Sequence, residues 1–219
     1  MKERPDIVGD LQVIALPKPG FSRDKSVQSA LQRRKTSRTI GDKKLSLQTL
    51  SNLLWSACGV NRKKGPFDIM GITAASASNA QEIDIYVALE EGVYRYEPMR
   101  HRLIPVVAGD LRALAIGKGQ SSFGADAPVR LIYVADIEKF GAAGFQEPGL
   151  KDPETQKAYY YVDTGLIAGN VYLFAASQGL AAWFHNCNKA ELPKKLGLRP
   201  EQRVLFGQTI GYQRKAAIR

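Results

Sequence analysis

Apolar positions change their period several times along the chain, and each change marks an element. Residues 1–25 are interrupted by Pro5, Gly9, Pro17, Pro19 and Gly20 and read as an extended arm. Val27, Ala30 and Leu31 then share one side of a short helix over 26–34. Ser46 stands where an N-cap belongs. Leu47, Leu50, Leu53, Leu54, Ala57 and Cys58 follow at helical spacing until Gly59, a natural stop. A turn-rich connector, Asn61 to Gly71, separates this helix from a stretch with period two. There Ile83, Ile85, Val87 and Leu89 alternate with Glu82, Asp84, Tyr86 and Ala88, which predicts a half-buried strand. Glu91-Gly92 turns the chain into a second strand, Val93 to Tyr96, and a third is expected near Leu103 to Pro105.

In the second half, residues 109–117 read as a short helix, followed by a Gly- and Ser-rich loop up to Pro128. Val129 to Ala135 is apolar, β-branched and aromatic, the composition of a central strand. Residues 141–153 hold three glycines and two prolines and read as a loop, either a substrate-side lid or a mobile connection. Asp163 is expected to cap a long helix that is apolar nearly all round and closes at Gly179. Asn188 and Glu191 have capping-box spacing for a short helix ending at Gly197, and Arg203 to Gly211 predicts a final strand. Helices mixed with mainly hairpin-connected strands predict an α+β class. One domain is expected over 26–219 behind the 1–25 arm.

Composition narrows the function. An apolar fraction of 44% suffices for a core, and no apolar run is long enough to span a bilayer. The two cysteines, Cys58 and Cys187, cannot form a disulfide framework and read as free thiols. With only His101 and His185 besides, no metal site is expected. The net charge of +10 concentrates at 33–38, 62–64 and 189–203. Such a surface suits a phosphorylated ligand, a nucleic acid or an anionic membrane. No zinc-finger or RNA-binding signature accompanies it, so a basic nucleic-acid-binding module is the alternative from a different class. The start of the chain lacks a secretion signal, which gives a cytoplasmic expectation, or a periplasmic one if a leader has been removed.

Three separated stretches carry the chemistry. Arg34-Lys35-Thr36-Ser37-Arg38 supplies fixed positive charge and hydroxyls at a helix end, suited to a phosphate with an attached polyol. Ser76-Ala77-Ser78-Asn79-Ala80-Gln81 presents side-chain amides just before a strand, able to meet a flat hydrogen-bonding ring edge. Asn170 to Leu180 is an apolar helix ending at Gly179. In this order they resemble the FMN-dependent nitroreductase family, over roughly residues 26 to 215. The likeness is particular to a short-chain branch that includes dehydrogenases of peptide azolines, the SagB type.

That resemblance implies a nitroreductase-like α+β fold, a mostly antiparallel central sheet flanked by helices, with FMN at a homodimer interface. By the motif match, Arg34, Lys35, Thr36 and Arg38 would bind the phosphate, ribityl chain and pyrimidine edge, with Thr36 in place of the usual Ser. Asn79 and Gln81 match amides that face the flavin ring. The family's proline is replaced by Ala75, and the aromatic or proline after Gln by Glu82. Ala182 and Trp183 match a loop along the ring face, although Trp183 and Phe184 equally suit core or interface packing. Arg214 is the candidate for a basic residue after the terminal Gly-Tyr, with Lys215 as its alternative. The implied activity is NAD(P)H-driven ping-pong reduction of a nitroaromatic, quinone or similar small electrophile. A flavin-dependent dehydrogenase of an azoline or other substrate is the variant within the same fold. No side chain is expected to act as nucleophile or general acid.

Overall fold

The computed structural model describes residues 7–20, 26–65, 68–120, 124, 126–143 and 145–214. Two short helices open the main body. Ser46 Oγ accepts from the Thr49 amide and starts α2 (Leu47–Cys58), and Ser26 does the same through Ser29 for α1 (Val27–Arg33). Leu50, Leu53, Leu54 and Ala57 place the apolar face of α2 on the sheet.

The sheet follows from the β-rich runs. Its centre is β6 (Ile83–Ala88) beside β9 (Val129–Asp136), paired antiparallel with Val87 opposite Leu131. β6 also pairs with β7 (Gly92–Glu97), which pairs with β8 (Arg102–Ala108). On the other side β9 pairs with β11 (Gln202–Tyr212), and β11 with β10 (Leu180–His185). In the arm, β1 (Ile7–Val8) pairs with β2 (Leu11–Gln12), and β3 (Ile14–Ala15) extends the sheet edge against β8. Residues 1–6 and 21–25 of the predicted arm lie outside the described residues. The strand order is β10-β11-β9-β6-β7-β8-β3, antiparallel throughout. β4 (Val60–Arg62) and β5 (Gly71–Ile72) make a separate small pair.

β6 is buried on both faces, not one. Ile85 and Val87 pack under the helices, while Tyr86 and Ala88 meet Ala115, Leu192 and Leu196 on the opposite face. Its polar-looking alternation is satisfied inside, since Asp84 is paired with Lys139 at 2.8 Å. Residues 110–117 form turns and not a helix. Gly109 and Gly117 bracket them, and the buried Arg130 guanidinium donates to the carbonyls of Arg112 and Gly124, which pins the connector to β9.

The long helix α4 (Pro153–Gln178) begins ten residues before the expected cap. Asp152 accepts from the Thr155 amide at 2.8 Å and Pro153 takes the first helical position, where a missing N–H costs nothing. Asp163 sits inside the helix, buried. The predicted 141–153 loop therefore shrinks to the end of α3 (Glu138–Gly141), a turn, and a 3-10 turn at Pro148–Lys151. Asn188 and Glu191 do exchange hydrogen bonds, ahead of α5 (Leu192–Lys195). No helix is long and apolar enough to cross a membrane among the described residues.

Candidate functional site

The exit of α1 builds one half of the site. Ala30 and Leu31 carbonyls take the Arg34 amide, and the chain then leaves the helix toward β10. There the Ser37 amide donates to the Ala182 carbonyl at 2.9 Å. Tyr172 of α4 holds the same segment from below. Its hydroxyl accepts from the Phe184 amide at 2.8 Å and meets Thr36 Oγ1 at 3.1 Å. The Arg34 guanidinium lies over the Tyr172 ring, 5.5 Å from its centre, and that of Arg38 over Trp183 at 5.4 Å. Cation–π contacts at exposed sites contribute only about 0.5–1 kcal/mol. Arg34 and Lys35 make no ion pair among the described residues, so their charge is available to an anion.

Beside them opens a cavity of about 380 Å³, lined by Lys35, Ser37, Tyr172, Ala176, Ala182 and Gln213. Ala182 and Trp183 lie in the middle of β10, not in a loop. Gly179 adopts a left-handed φ of 68°, reverses the chain directly, and leaves no loop between helix and strand. Trp183 is 1% exposed and packs against His185, whose pKa burial pushes down to about 4, so that imidazole is neutral. Arg214 reaches the segment through its backbone, donating its amide to Thr39 O, while its guanidinium pairs with Asp126 at 2.7 Å. Lys215, its alternative, lies outside the described residues.

Asn79 and Gln81 are elsewhere. Both side-chain amides donate to Met70 O, at 3.1 and 2.7 Å, and Gln81 Nε2 also donates to Asn79 Oδ1. Ser78, Asn79 and Gln81 all have φ near +50°, a region that non-glycine residues seldom occupy. Strain of this kind persists only where the surroundings over-determine it. Here Asp163 Oδ2 takes the Ala77 amide at 2.9 Å and Ser76 Oγ takes that of Gln81. Asp163 is thus a cap for this turn, not for its own helix. Since Tyr172 and Asp163 are nine residues apart on α4, the two stretches attach about 13 Å apart along its axis.

Of the nine expected residues, six gather around Tyr172 and β10, Arg214 adjoins them, and the two amides stand apart. Tyr172 was missed from sequence because one tyrosine in an apolar helix reads as core. Neither cysteine offers a reactive thiol, since burial pushes Cys58 to about 12 and Cys187 to about 11. No group of three or more metal-ligating side chains occurs among the described residues.

The model of the family described as the nitroreductase family matches residues 31–212. The chain belongs to the nitroreductase family. A Methanocaldococcus jannaschii protein named provisionally as a nitroreductase is 31% identical over 184 residues, 79% of this chain and 83% of that one. A crystal structure from Ralstonia eutropha JMP134, likewise named provisionally as a nitroreductase, is 30% identical, with a TM-score of 0.80 over 99% of this chain and 96% of that one. An FMN-dependent nitroreductase of Clostridium difficile R20291 shares the fold at 15% identity, with a TM-score of 0.56 over 87% and 89%. The nitroreductase-like α+β fold expected from sequence is thereby shown, and the chain is an oxidoreductase of a flavoprotein family.

Proposed function

We propose that this nitroreductase-family protein binds FMN between two copies of the chain. We further propose that it passes electrons from NAD(P)H to a small electrophile such as a nitroaromatic or quinone, donor and acceptor using one pocket in turn. The observation that carries the reading is the Arg34–Arg38 segment, cations and hydroxyl held on Tyr172 and β10 beside an open cavity. Arg34, Lys35 and Arg38 suit a dianionic phosphate, and Thr36 with Ser37 a polyol chain. When bound, FMN supplies the hydride and electron chemistry, which no side chain here can provide. The protein's part is to hold the ring, shield it from water and place fixed positive charge where negative charge builds up.

The donor set fits FMN only in part within one chain, because the amides are too far along α4. A second copy supplies the remedy. On either side of Asp163, α4 exposes Ala158, Tyr161, Val162, Gly165 and Leu166, with Gly169 half-buried further along, an apolar stripe with small residues at helical spacing. A methyl group added at Gly165 or Gly169 would meet nothing within 4 Å, so another helix can approach closely there. A two-fold contact about this stripe sets the C-terminal half of one α4 beside the N-terminal half of the other. The basic segment of one copy then faces the amide loop of its partner.

The test is FMN titration of the purified protein, followed by anaerobic addition of NADH or NADPH. Bound flavin that bleaches supports the reductase. Bound flavin reduced only by a substrate would instead favour the dehydrogenase direction. A protein that takes up no flavin contradicts both.

A further inference from the structure

Glu82 follows Gln81 directly and is fully buried, yet no N–H or O–H donor reaches either carboxylate oxygen. The carboxyl group facing it is that of Asp163, close enough for one to hydrogen-bond the other. Two carboxylates are both acceptors, so that bond requires a proton between them. Asp163 is 3% exposed and already accepts the Ala77 amide, which favours its ionised form, so the proton belongs to Glu82. The pair therefore grips both ends of the strained turn, Ala77 through Asp163 and Gln81 through its neighbour Glu82.

We propose that Glu82 and Asp163 share one proton that latches residues 76–81 onto α4, and that losing this proton loosens the segment. Glu82 and Asp163 are positioning residues in this scheme; they touch the amide loop, not the reacting atoms. That the loop's position matters to flavin rests on the function proposed above. Beyond that reading, the site gains a pH sensor formed by Glu82, a residue where this chain departs from the family pattern.

The surrounding charges are consistent with a retained proton. Lys139 of α3 is the cation facing the pair, but its ammonium is engaged by Asp84 Oδ1 at 2.8 Å and Gln81 O at 3.1 Å. Asp136 of β9 gives its amide to Glu82 O while its carboxylate is held by Arg199 at 2.8 Å. Glu147, from the 3-10 side, accepts from Tyr159 at 2.7 Å and approaches Ser78 Oγ at 3.5 Å. Burial first, then Asp163, raises the Glu82 pKa to about 8, against the weaker pull of Lys139. A second negative charge in that place has no donor to receive it, and moving the turn away relieves the repulsion.

The experiment is hydrogen exchange on the whole protein from about pH 6 to about pH 10, corrected for the intrinsic rise with pH, following the peptide over 76–82. FMN affinity is measured by flavin fluorescence in the same series. The wild type should show a step of faster exchange near pH 8, with FMN affinity falling alongside. Glu82→Gln keeps the shape and donates an amide N–H to Asp163, so its exchange should stay flat across the range. Asp163→Asn removes the like charge and should move the step to lower pH, which keeps the test alive if Glu82→Gln does not fold. No step in the wild type, or the same step in Glu82→Gln, overturns the latch. A step in exchange with FMN affinity unchanged supports the latch and overturns the flavin-facing role of Asn79 and Gln81.

Discussion

Tyr172 is the residue on which the basic half of the site depends. One hydroxyl joins three elements, α4, the Phe184 amide of β10 and Thr36 at the exit of α1. Tyr172→Phe leaves a part-buried N–H without its acceptor, for a loss of about 1–3 kcal/mol. The expected result is a lower denaturation midpoint at unchanged slope in urea, together with weaker FMN binding. Arg34 acts on the ligand more directly. Removing one charge-assisted partner of a phosphate costs about 1.5–3 kcal/mol, so Arg34→Ala should weaken FMN binding roughly 10- to 100-fold. Stability should hardly change, since Arg34 is exposed and its guanidinium rests on the Tyr172 ring. Equilibrium titration by fluorescence checks the first outcome, and a thermal melt the second.

At the scale of elements, capping decides what composition obscures. α4 begins where Asp152 and Pro153 stop the preceding turn, although the residues directly after them, Glu154 to Lys157, are polar. Asp152→Ala should therefore cost about 1 kcal/mol and increase exchange in the first turn of α4 without touching its C-terminal half. The same helix shows what the sequence could disclose. Ser46, Gly59 and Gly179 were legible because each occupies a position that only a few residue types suit. The start of α4 was not, because Asp163 resembles a cap once the amphipathic turns before it are taken for loop. β6 misled in a related way. Glu82, Asp84 and Tyr86 look like a solvent face, but each is buried, Asp84 against Lys139 of α3 and Glu82 facing Asp163 of α4, which no local period reveals. The basic motif and the amides were legible as residues. Their separation along α4 was not, since it depends on which turn of the helix each stretch meets.

For the whole molecule, the exposed α4 stripe and the divided site make one claim. If a second copy covers Val162, Gly165 and Leu166, then Leu166→Glu places two charges near the two-fold axis in an apolar contact. Leu166 is 44% exposed in one chain, so the monomer fold should survive. Sedimentation velocity should then show a monomer where the wild type gives a dimer, and flavin binding should fall with the assembly. A dimeric variant with normal flavin would mean that this stripe is not the interface.

The central claim, that the chain holds FMN as its redox group, is tested most directly by the visible absorption spectrum of the protein after FMN is added and excess removed. The account predicts a retained flavin spectrum, absent in Arg34→Ala at the same concentrations, that bleaches when NADH or NADPH is added without oxygen. A colourless protein that has taken up no FMN would contradict it.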